Sequence, residues 1–331
     1  MTASSLALFW AGVLAFAILV YVILDGFDLG VGILFGTTRD DEHRREMMDA
    51  IAPFWDGNET WLVIIGAGLF AAFPVVYAVF LGAFYIPVLL LLFGLIFRGV
   101  AFEFRYRSER MRWLWDWGFA VGSAVVAFVQ GAAVGAMIEG IPVANNQYAG
   151  GPFEWLAPFP VLTGIGLVLG YSLLGAAWLV LKTGGSLQSW AYARIPWLGG
   201  TTVAVIVIAL IFTLDRSAIA QSQWDQRPWG IVFPIAALLA MAAAIMGAFK
   251  RREAVPFVMT ASFFLAAFLT LGTMFWPYMV PYSITVANAA APHASLEFLF
   301  WGAGVVMLPV VIAYTIGVYW IFRGKVRKAY E

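Results

Sequence analysis

The sequence contains no cysteine and only two histidines among 331 residues. Without cysteine the chain can form no disulfide, no thiolate metal site and no cysteine-ligated iron–sulfur cluster. Charge is also scarce, because 11% of the residues are charged whereas a soluble domain carries about 25%. The formal net charge is zero, and we expect no nucleic-acid partner. A chain so poor in charge is expected to lie in a lipid bilayer.

Apolar residues make up 63% of the chain, and long runs of them dominate it. A hydrocarbon core of ~30 Å requires about 20 apolar residues per helix. The sequence therefore predicts an all-α integral membrane protein, with residues 1–331 forming a single polytopic domain. The first run has no basic residue before it and continues past twenty residues, which predicts a retained span rather than a cleaved signal peptide. The nine predicted spans are Leu6–Phe35, Pro53–Phe73, Pro74–Phe97, Trp117–Ile138, Leu156–Leu181, Leu198–Leu214, Gly230–Phe249, Val255–Val280 and Leu296–Phe322.

The basic residues are distributed very unevenly between the predicted loops. Seventeen of them lie in the loops after spans one, three, five and seven or in the C-terminal tail, counting Arg98 at the edge of span three. The opposite side has only Arg216 and Arg227. Since Lys and Arg accumulate on the cytoplasmic side, the pattern predicts an external N-terminus and a cytoplasmic C-terminus. The seventeen are Arg39, Arg44, Arg45, Arg98, Arg105, Arg107, Arg110, Arg112, Lys182, Arg194, Lys250, Arg251, Arg252, Arg323, Lys325, Arg327 and Lys328.

Two aspartates interrupt the first span in the stretch LDGFDLGVGI, residues 24–33. Asp25 and Asp28 are three residues apart and so share a helix face near the cytoplasmic end of the span. An ionisable residue inside a span indicates function by default, and we expect Asp25 to have a buried, paired or proton-handling role. Asp28 has two open interpretations, a second buried carboxyl or a solvated residue where the helix meets water. The nearby glycines favour close contact with another helix.

A second polar cluster is predicted at the same depth. Asp56, Asn58 and Glu59 open span two, while Arg98 closes span three. Helix capping explains an Asp or Asn at a helix start, and Asp116 is likewise expected to cap span four. Capping does not explain why several carboxylates share one layer, which suits a proton path. A structural network of Arg98 with these carboxylates uses the same residues and remains open.

The histidines lie outside every predicted span. His43 is expected on a solvated, charged loop and His293 in a loop on the other side. Bis-histidine ligation of a haem inside the bundle is therefore excluded, and the sequence predicts no metal ligand or catalytic residue in this chain.

Several blocks of the sequence together resemble subunit II of the cytochrome bd-type quinol oxidases. They are LDGFDLGVG from Leu24, IAPFWDGNETW from Ile51, FRGVAFEF from Phe97, WDWG from Trp115 and MFWPYMVP from Met274. The resemblance covers most of the chain, is densest in residues 20–120 and keeps the order of the family. The short late loops resemble the cyanide-insensitive branch.

This resemblance implies a two- or three-subunit terminal oxidase of the bacterial cytoplasmic membrane. It implies that quinol and all haems, two of b type and one of d type or a b-type replacement, are bound by the larger subunit I. Subunit II then has two four-helix bundles and one further helix, packs against subunit I among membrane lipids, and is joined in some members by a small single-helix subunit. The aspartates that match Asp25 and Asp56 are implied to lie on a cytoplasmic proton route. The residues expected to support them are Asp28, Asn58, Glu59, Trp55, Trp61 and Arg98.

A different class of protein fits some of the same residues. In a proton-coupled secondary transporter, Asp25 and Asp56 would couple a proton to a substrate, and polar, glycine-interrupted helices are typical of such proteins. A third hypothesis is a pure scaffold with no proton role. The sequence therefore gives three hypotheses: an oxidase subunit that delivers protons, a transporter and a scaffold.

Overall fold

The computed structural model describes residues 3–108, 110–216 and 225–326. Arg327 and Lys328, which contribute to the predicted charge asymmetry, lie outside these residues, as does the side chain of Arg216. The described chain is helical apart from short connections and two small antiparallel hairpins, β1 (Val143–Ala144) with β2 (Gln147–Tyr148) and β3 (Tyr278–Val280) with β4 (Ile284–Thr285). The helices are α1 (Ser5–Phe35), α2 (Asp41–Ile51), α3 (Trp55–Ala72), α4 (Pro74–Phe104), α5 (Arg112–Glu139), α6 (Pro158–Lys182), α7 (Gly185–Arg216), α8 (Val232–Phe249), α9 (Ala254–Phe275), α10 (Val286–Ala289), α11 (His293–Leu299), a π-helix (Phe300–Met307) and α12 (Leu308–Ile321).

Eight helices of the described residues are long and apolar enough to cross a membrane. Each corresponds to one predicted span, and the last runs through α11, the π-helix and α12 as His293–Ile321. The predicted span Pro53–Phe73 is present as the helix α3. It is not one of the eight, because the polar residues of its first turns lower its hydropathy.

Some predicted ends of spans are wrong. The span predicted to end at Phe97 continues to Phe104, and the span predicted to begin at Leu198 begins at Gly185. In both cases the hydropathy falls at polar residues although the backbone hydrogen bonds of the helix continue through them. Conversely, α9 ends at Phe275, because Pro277 has no N–H and the chain turns into β3.

The long helices alternate in direction, which gives the bundle two distinct ends. We call the end with α2 and the arginine-rich loops the basic end, and the end with the two hairpins the hairpin end. α1 is the central helix and packs against α3, α5 and α6, while α4 packs on α5, α7 on α6, and α8 on α9. The largest apolar core lies along the second half of α1 and the facing parts of α5, α6 and α9.

The glycines of the LDGFDLGVGI stretch allow α1 to approach α6 closely. A methyl group on Gly30 would overlap the backbone carbonyl of Tyr171, and one on Gly175 would overlap the backbone of Gly30. A methyl group on Gly26 would lie 2.8 Å from the ring of Tyr171. The predicted close helix contact is thus confirmed, and it brings Tyr171 beside the part of α1 that carries Asp25.

The charged loop after α1 is itself an amphipathic helix, α2. Asp40 caps it, because its carboxylate accepts hydrogen bonds from the backbone of His43 and Glu42, and these bonds hold the pKa of Asp40 below its usual range. The prediction of a solvated His43 is wrong. His43 is 9% exposed and its Nε2 lies 3.0 Å from the hydroxyl of Ser186, since α2 packs against the start of α7.

Asp116 does not cap a helix as predicted. α5 begins at Arg112, four residues earlier, and Asp116 accepts hydrogen bonds from Arg44 at 2.8 Å and from the buried Arg105 at 2.6 Å. Both guanidinium groups also lie over the ring of Phe35, at 5.0 and 5.2 Å from its centroid. This cluster ties α2, α4 and α5 to the end of α1.

Candidate functional site

Arg98 lies at the centre of a buried cluster of carboxylates between α1, α3 and α4. Its side chain is fully buried, and its Nη1 lies 2.8 Å from Glu59 and 3.7 Å from Asp25. Asp25 is also fully buried, and neither of its oxygens has a hydrogen bond of ordinary geometry. The structure therefore brings together three residues that the sequence placed on three separate helices.

Asp28 lies in the same cluster and not at a solvated surface. The interpretation of Asp28 as a residue in water is wrong, because its side chain is fully buried and accepts a hydrogen bond of 2.5 Å from Nδ2 of Asn58. The close contact of α1 with α6 and the residues of α3 and α12 cover it. Asn58 also donates to the carbonyl of Leu24 and accepts from the hydroxyl of Tyr319 at 3.0 Å, so it joins α1, α3 and α12.

Asp56 stands apart from the buried cluster. It is exposed and lies in the first turn of α3. It does not cap the helix, since the N-cap position is occupied by Phe54, which makes no side-chain hydrogen bond. Glu59 lies one turn further along the same helix with a side chain that is 22% exposed, and it is within electrostatic range of both Asp56 and Asp25. The carboxylates thus run from an exposed one at the basic end to a fully buried one.

The two predicted tryptophans have different surroundings. Trp55 stacks on Phe102 with a centroid distance of 5.1 Å and lies 6.0 Å from the guanidinium of Arg98. Trp61 is 1% exposed and packs against Ala17 and Tyr21 of α1. The ring of Trp55 shields Arg98 from the surroundings, which strengthens the electrostatic interactions within the cluster.

Four polar residues of this region were not predicted from the sequence. Tyr319 follows an apolar run in the last span, and no pattern in the sequence distinguishes it from an interfacial aromatic residue. Tyr21, Gln130 and Tyr171 form a second hydrogen-bonded group next to Asp25, on α1, α5 and α6. Gln130 carried a usable signal, because it is an amide in the middle of an otherwise apolar or small-residue span.

The composition of the cluster favours proton binding. Asp25, Asp28 and Glu59 surround a single guanidinium, so full ionisation would leave an excess of negative charge in a low-dielectric interior. Such an excess is costly, and buried carboxyls relieve it by taking up protons. The arrangement can therefore accept, hold and release protons.

The two histidines lie far from this cluster and from each other. His43 is on α2 at the basic end, and His293 begins α11 at the hairpin end, where it lies 3.8 Å from Glu297. Among the described residues no group of three or more His, Asp or Glu side chains is arranged to hold a metal ion.

Comparison with known proteins identifies the family. A sequence model of the family described as cytochrome bd terminal oxidase subunit II matches residues 6–322. Cytochrome bd-I ubiquinol oxidase subunit 2 of Escherichia coli K12 is 30% identical over 93% of this chain and 92% of the relative. Cytochrome bd ubiquinol oxidase subunit 2 of Bacillus subtilis 168 is 31% identical over 96% of each chain.

A solved structure has the same fold. The structure of bd oxidase from Geobacillus thermodenitrificans contains a chain that matches this one with a TM-score of 0.75 and 16% sequence identity. The match covers 96% of this chain and 99% of that one. With the family match over nearly the whole sequence, these findings show that the chain belongs to the cytochrome bd terminal oxidase subunit II family.

Proposed function

We propose that this chain is subunit II of a quinol oxidase in a bacterial cytoplasmic membrane, and that it supplies protons to the O₂-reducing site of its partner. The complex would oxidise quinol and reduce O₂ to water. The observation that supports the oxidase is the family match over residues 6–322. The observation that supports the proton role is the line of carboxylates from exposed Asp56 to buried Asp25.

We place the haems and the quinol in subunit I, not in this chain. Haem supplies the electron transfer and oxygen chemistry of such an oxidase. The histidines of this chain do not fit bis-histidine ligation of such a haem, because His43 and His293 lie at opposite ends of the bundle and cannot bind one iron together. Two b-type haems and a d-type haem, or a b-type replacement, remain the expected set in the partner.

In the proposed route a proton enters at Asp56, passes Glu59 and reaches Asp25. Asp56 is exposed, Glu59 is partly exposed, and Asp25 is fully buried, so the three form a gradient from solvent to interior. Arg98 holds Glu59 and Asp25 on one guanidinium, which keeps both carboxyls within a few ångströms of the same point. Asp28 and Asn58 support the cluster from the side of α12.

We also propose nine spans with the N-terminus outside, arranged as two four-helix bundles and one further helix. The predicted excess of basic residues then lies at the cytoplasmic end, which is the basic end of the structure. In this orientation Asp56 faces the cytoplasm. The expected neighbours are the haem-bearing subunit I, a small single-helix subunit and membrane lipids.

The decisive experiment replaces Asp25 by Asn in the assembled oxidase. Asn keeps the shape but cannot carry a proton, so turnover of quinol with O₂ should fall at least about ten-fold, in the range lost when a proton-transfer group is removed. The visible spectrum of the purified complex measures whether its haems are still present. Asp56→Asn should lower turnover in the same way.

Glu103→Gln is the matched control, since Glu103 is exposed at the end of α4 and, among the described residues, forms an ion pair only with exposed Arg107. Its turnover should equal that of the parent. Full turnover in Asp25→Asn and Asp56→Asn, with intact haem bands, would leave the chain as a scaffold. A purified protein without haem bands or a larger partner would instead favour the proton-coupled transporter.

A further inference from the structure

Tyr21, Gln130 and Tyr171 form a hydrogen-bonded chain that ends beside Asp25. The hydroxyl of Tyr171 donates to Oε1 of Gln130 at 2.9 Å, and Nε2 of Gln130 donates to the hydroxyl of Tyr21 at 2.7 Å. Tyr21 is 4% exposed and Tyr171 is fully buried. These three hydrogen-bonded side chains therefore connect α6 through α5 to α1 inside the bundle.

The last member of this chain faces the proposed proton carrier. Tyr21 precedes Asp25 by four residues, which places the two side chains one turn apart on the same face of α1. This spacing places the hydroxyl of Tyr21 on the side of α1 that carries Asp25, although the structure shows no hydrogen bond between the two side chains. Because the oxygen of Tyr21 accepts from Gln130, its own hydrogen is free to donate to Asp25.

The direction of the hydrogen bonds follows from the chemistry at both ends. If the side-chain amide of Gln130 were flipped, its oxygen would accept the hydrogen bond from the hydroxyl of Tyr21. The lone pairs of that hydroxyl would then face the carboxylate of Asp25. Asp25 has no hydrogen-bond donor of ordinary geometry among the described residues, so this arrangement would deprive it of the nearby Tyr21 donor as well. The orientation of the Gln130 amide in the structure is thus the one that leaves the hydroxyl hydrogen of Tyr21 available to Asp25.

The close contact of α1 with α6 at their glycines positions the hydrogen-bonded group of Tyr21, Gln130 and Tyr171. The backbone at Gly30 touches the backbone at Tyr171, and Gly26 leaves room for the ring of Tyr171. The ring consequently lies against α1, from which its hydroxyl reaches Gln130 on α5. The same glycines that the sequence singles out beside Asp25 therefore position the far end of the chain.

We propose that Tyr21, Gln130 and Tyr171 are positioning residues that aim a hydroxyl donor at Asp25 and so set when this carboxyl takes up and releases its proton. The proposal rests on the proposed role of Asp25 in proton delivery. The other ionisable or charged groups around Asp25 are Arg98 on α4, Glu59 on α3, Asp28 on α1, Tyr171 on α6 and Tyr319 on α12. Removing a donor to the ionised form makes a carboxyl hold its proton to higher pH.

The test compares the pH dependence of turnover in the assembled oxidase for Tyr21→Phe and Gln130→Met. Tyr21→Phe deletes the donor to Asp25, and Gln130→Met keeps the side-chain length while freeing the hydroxyl of Tyr21. Each should lower turnover about two- to ten-fold at neutral pH and displace the profile by about half a unit to one unit toward higher pH. Tyr171→Phe should have a smaller effect in the same direction, because Gln130 still reaches Tyr21.

Tyr192→Phe is the matched control, because Tyr192 of α7 is also a buried tyrosine and its hydroxyl has no hydrogen-bond partner among the described residues. Its profile should equal that of the parent. Gln130→Glu provides a second test should Gln130→Met not assemble. It keeps the side-chain shape but, when ionised, adds a negative charge beside Tyr21, so the profile should move toward higher pH.

The outcomes separate this proposal from the proposed function. If Asp25→Asn loses turnover while Tyr21→Phe and Gln130→Glu keep the parent profile with intact haem bands, the positioning role is overturned and the proton role stands. If Asp25→Asn itself retains full turnover, the proton role fails. A displaced profile in both Tyr21→Phe and Gln130→Glu, with Tyr192→Phe unchanged, supports the positioning role.

Discussion

At the scale of single residues, Arg98 has two roles that experiment can separate. It neutralises buried carboxylates, which is structural, and it holds Glu59 and Asp25 together, which serves the proposed route. Arg98→Gln leaves both carboxylates without their cation, and breaking a buried pair costs about 3–5 kcal/mol. We expect a lower melting temperature of the purified complex and a lower yield with haem bound.

The double variant Arg98→Gln with Glu59→Gln distinguishes the two roles. Because it removes one negative charge with the positive one, it should recover part of the lost stability. Turnover should stay low if Glu59 carries protons, whereas a purely structural network would regain turnover together with stability. Arg107→Gln, just after the end of α4, is the control, since its exposed pair with Glu103 contributes about 0–1 kcal/mol.

At the scale of elements, the contact between α1 and α6 depends on the absence of a side chain at Gly30. Gly30→Ala would push a methyl group into the rigid backbone around Tyr171 and should cost at least about 1–3 kcal/mol. The melting temperature of the complex should fall, and turnover should fall with it because the donor chain to Asp25 is displaced.

Gly12→Ala is the control on the same helix, because no atom lies within 4 Å of the added methyl group. This change should leave stability equal or raise it by up to ~1 kcal/mol, the difference in helix propensity. Equal melting temperatures for the two variants would contradict the proposed role of the close contact.

The same elements show what a single sequence can predict and what it cannot. Hydropathy located every long helix, because a bilayer demands about twenty apolar residues in each. It did not locate the helix ends at Phe104 and Gly185, since helical hydrogen bonds continue into polar residues. The sequence left the burial of Asp28 open for another reason: it depends on α3 and α12, and the position of a residue along one helix contains no information about neighbouring helices.

At the scale of the whole molecule, the charges fall into two separate groups near one end. The buried cluster around Arg98 has an excess of carboxylates, whereas the outer cluster of Arg44, Arg105 and Asp116 has an excess of cations. The outer group holds the loops of the basic end against the bundle. Its cations therefore do not neutralise the buried carboxylates, which can bind protons instead. In the proposed function, the basic end faces the compartment from which protons are taken.

That orientation can be tested directly because this chain has no cysteine to give background labelling. Ala149 lies exposed beside the first hairpin, and Ala254 lies exposed at the start of α9, at the basic end. Ala149→Cys should react with a membrane-impermeant maleimide on intact spheroplasts, while Ala254→Cys should react only in inverted vesicles, because the basic end is cytoplasmic in the proposed orientation. The parent complex measures labelling of partner subunits. The reverse pattern would place Asp56 on the outer side and would contradict proton uptake from the cytoplasm.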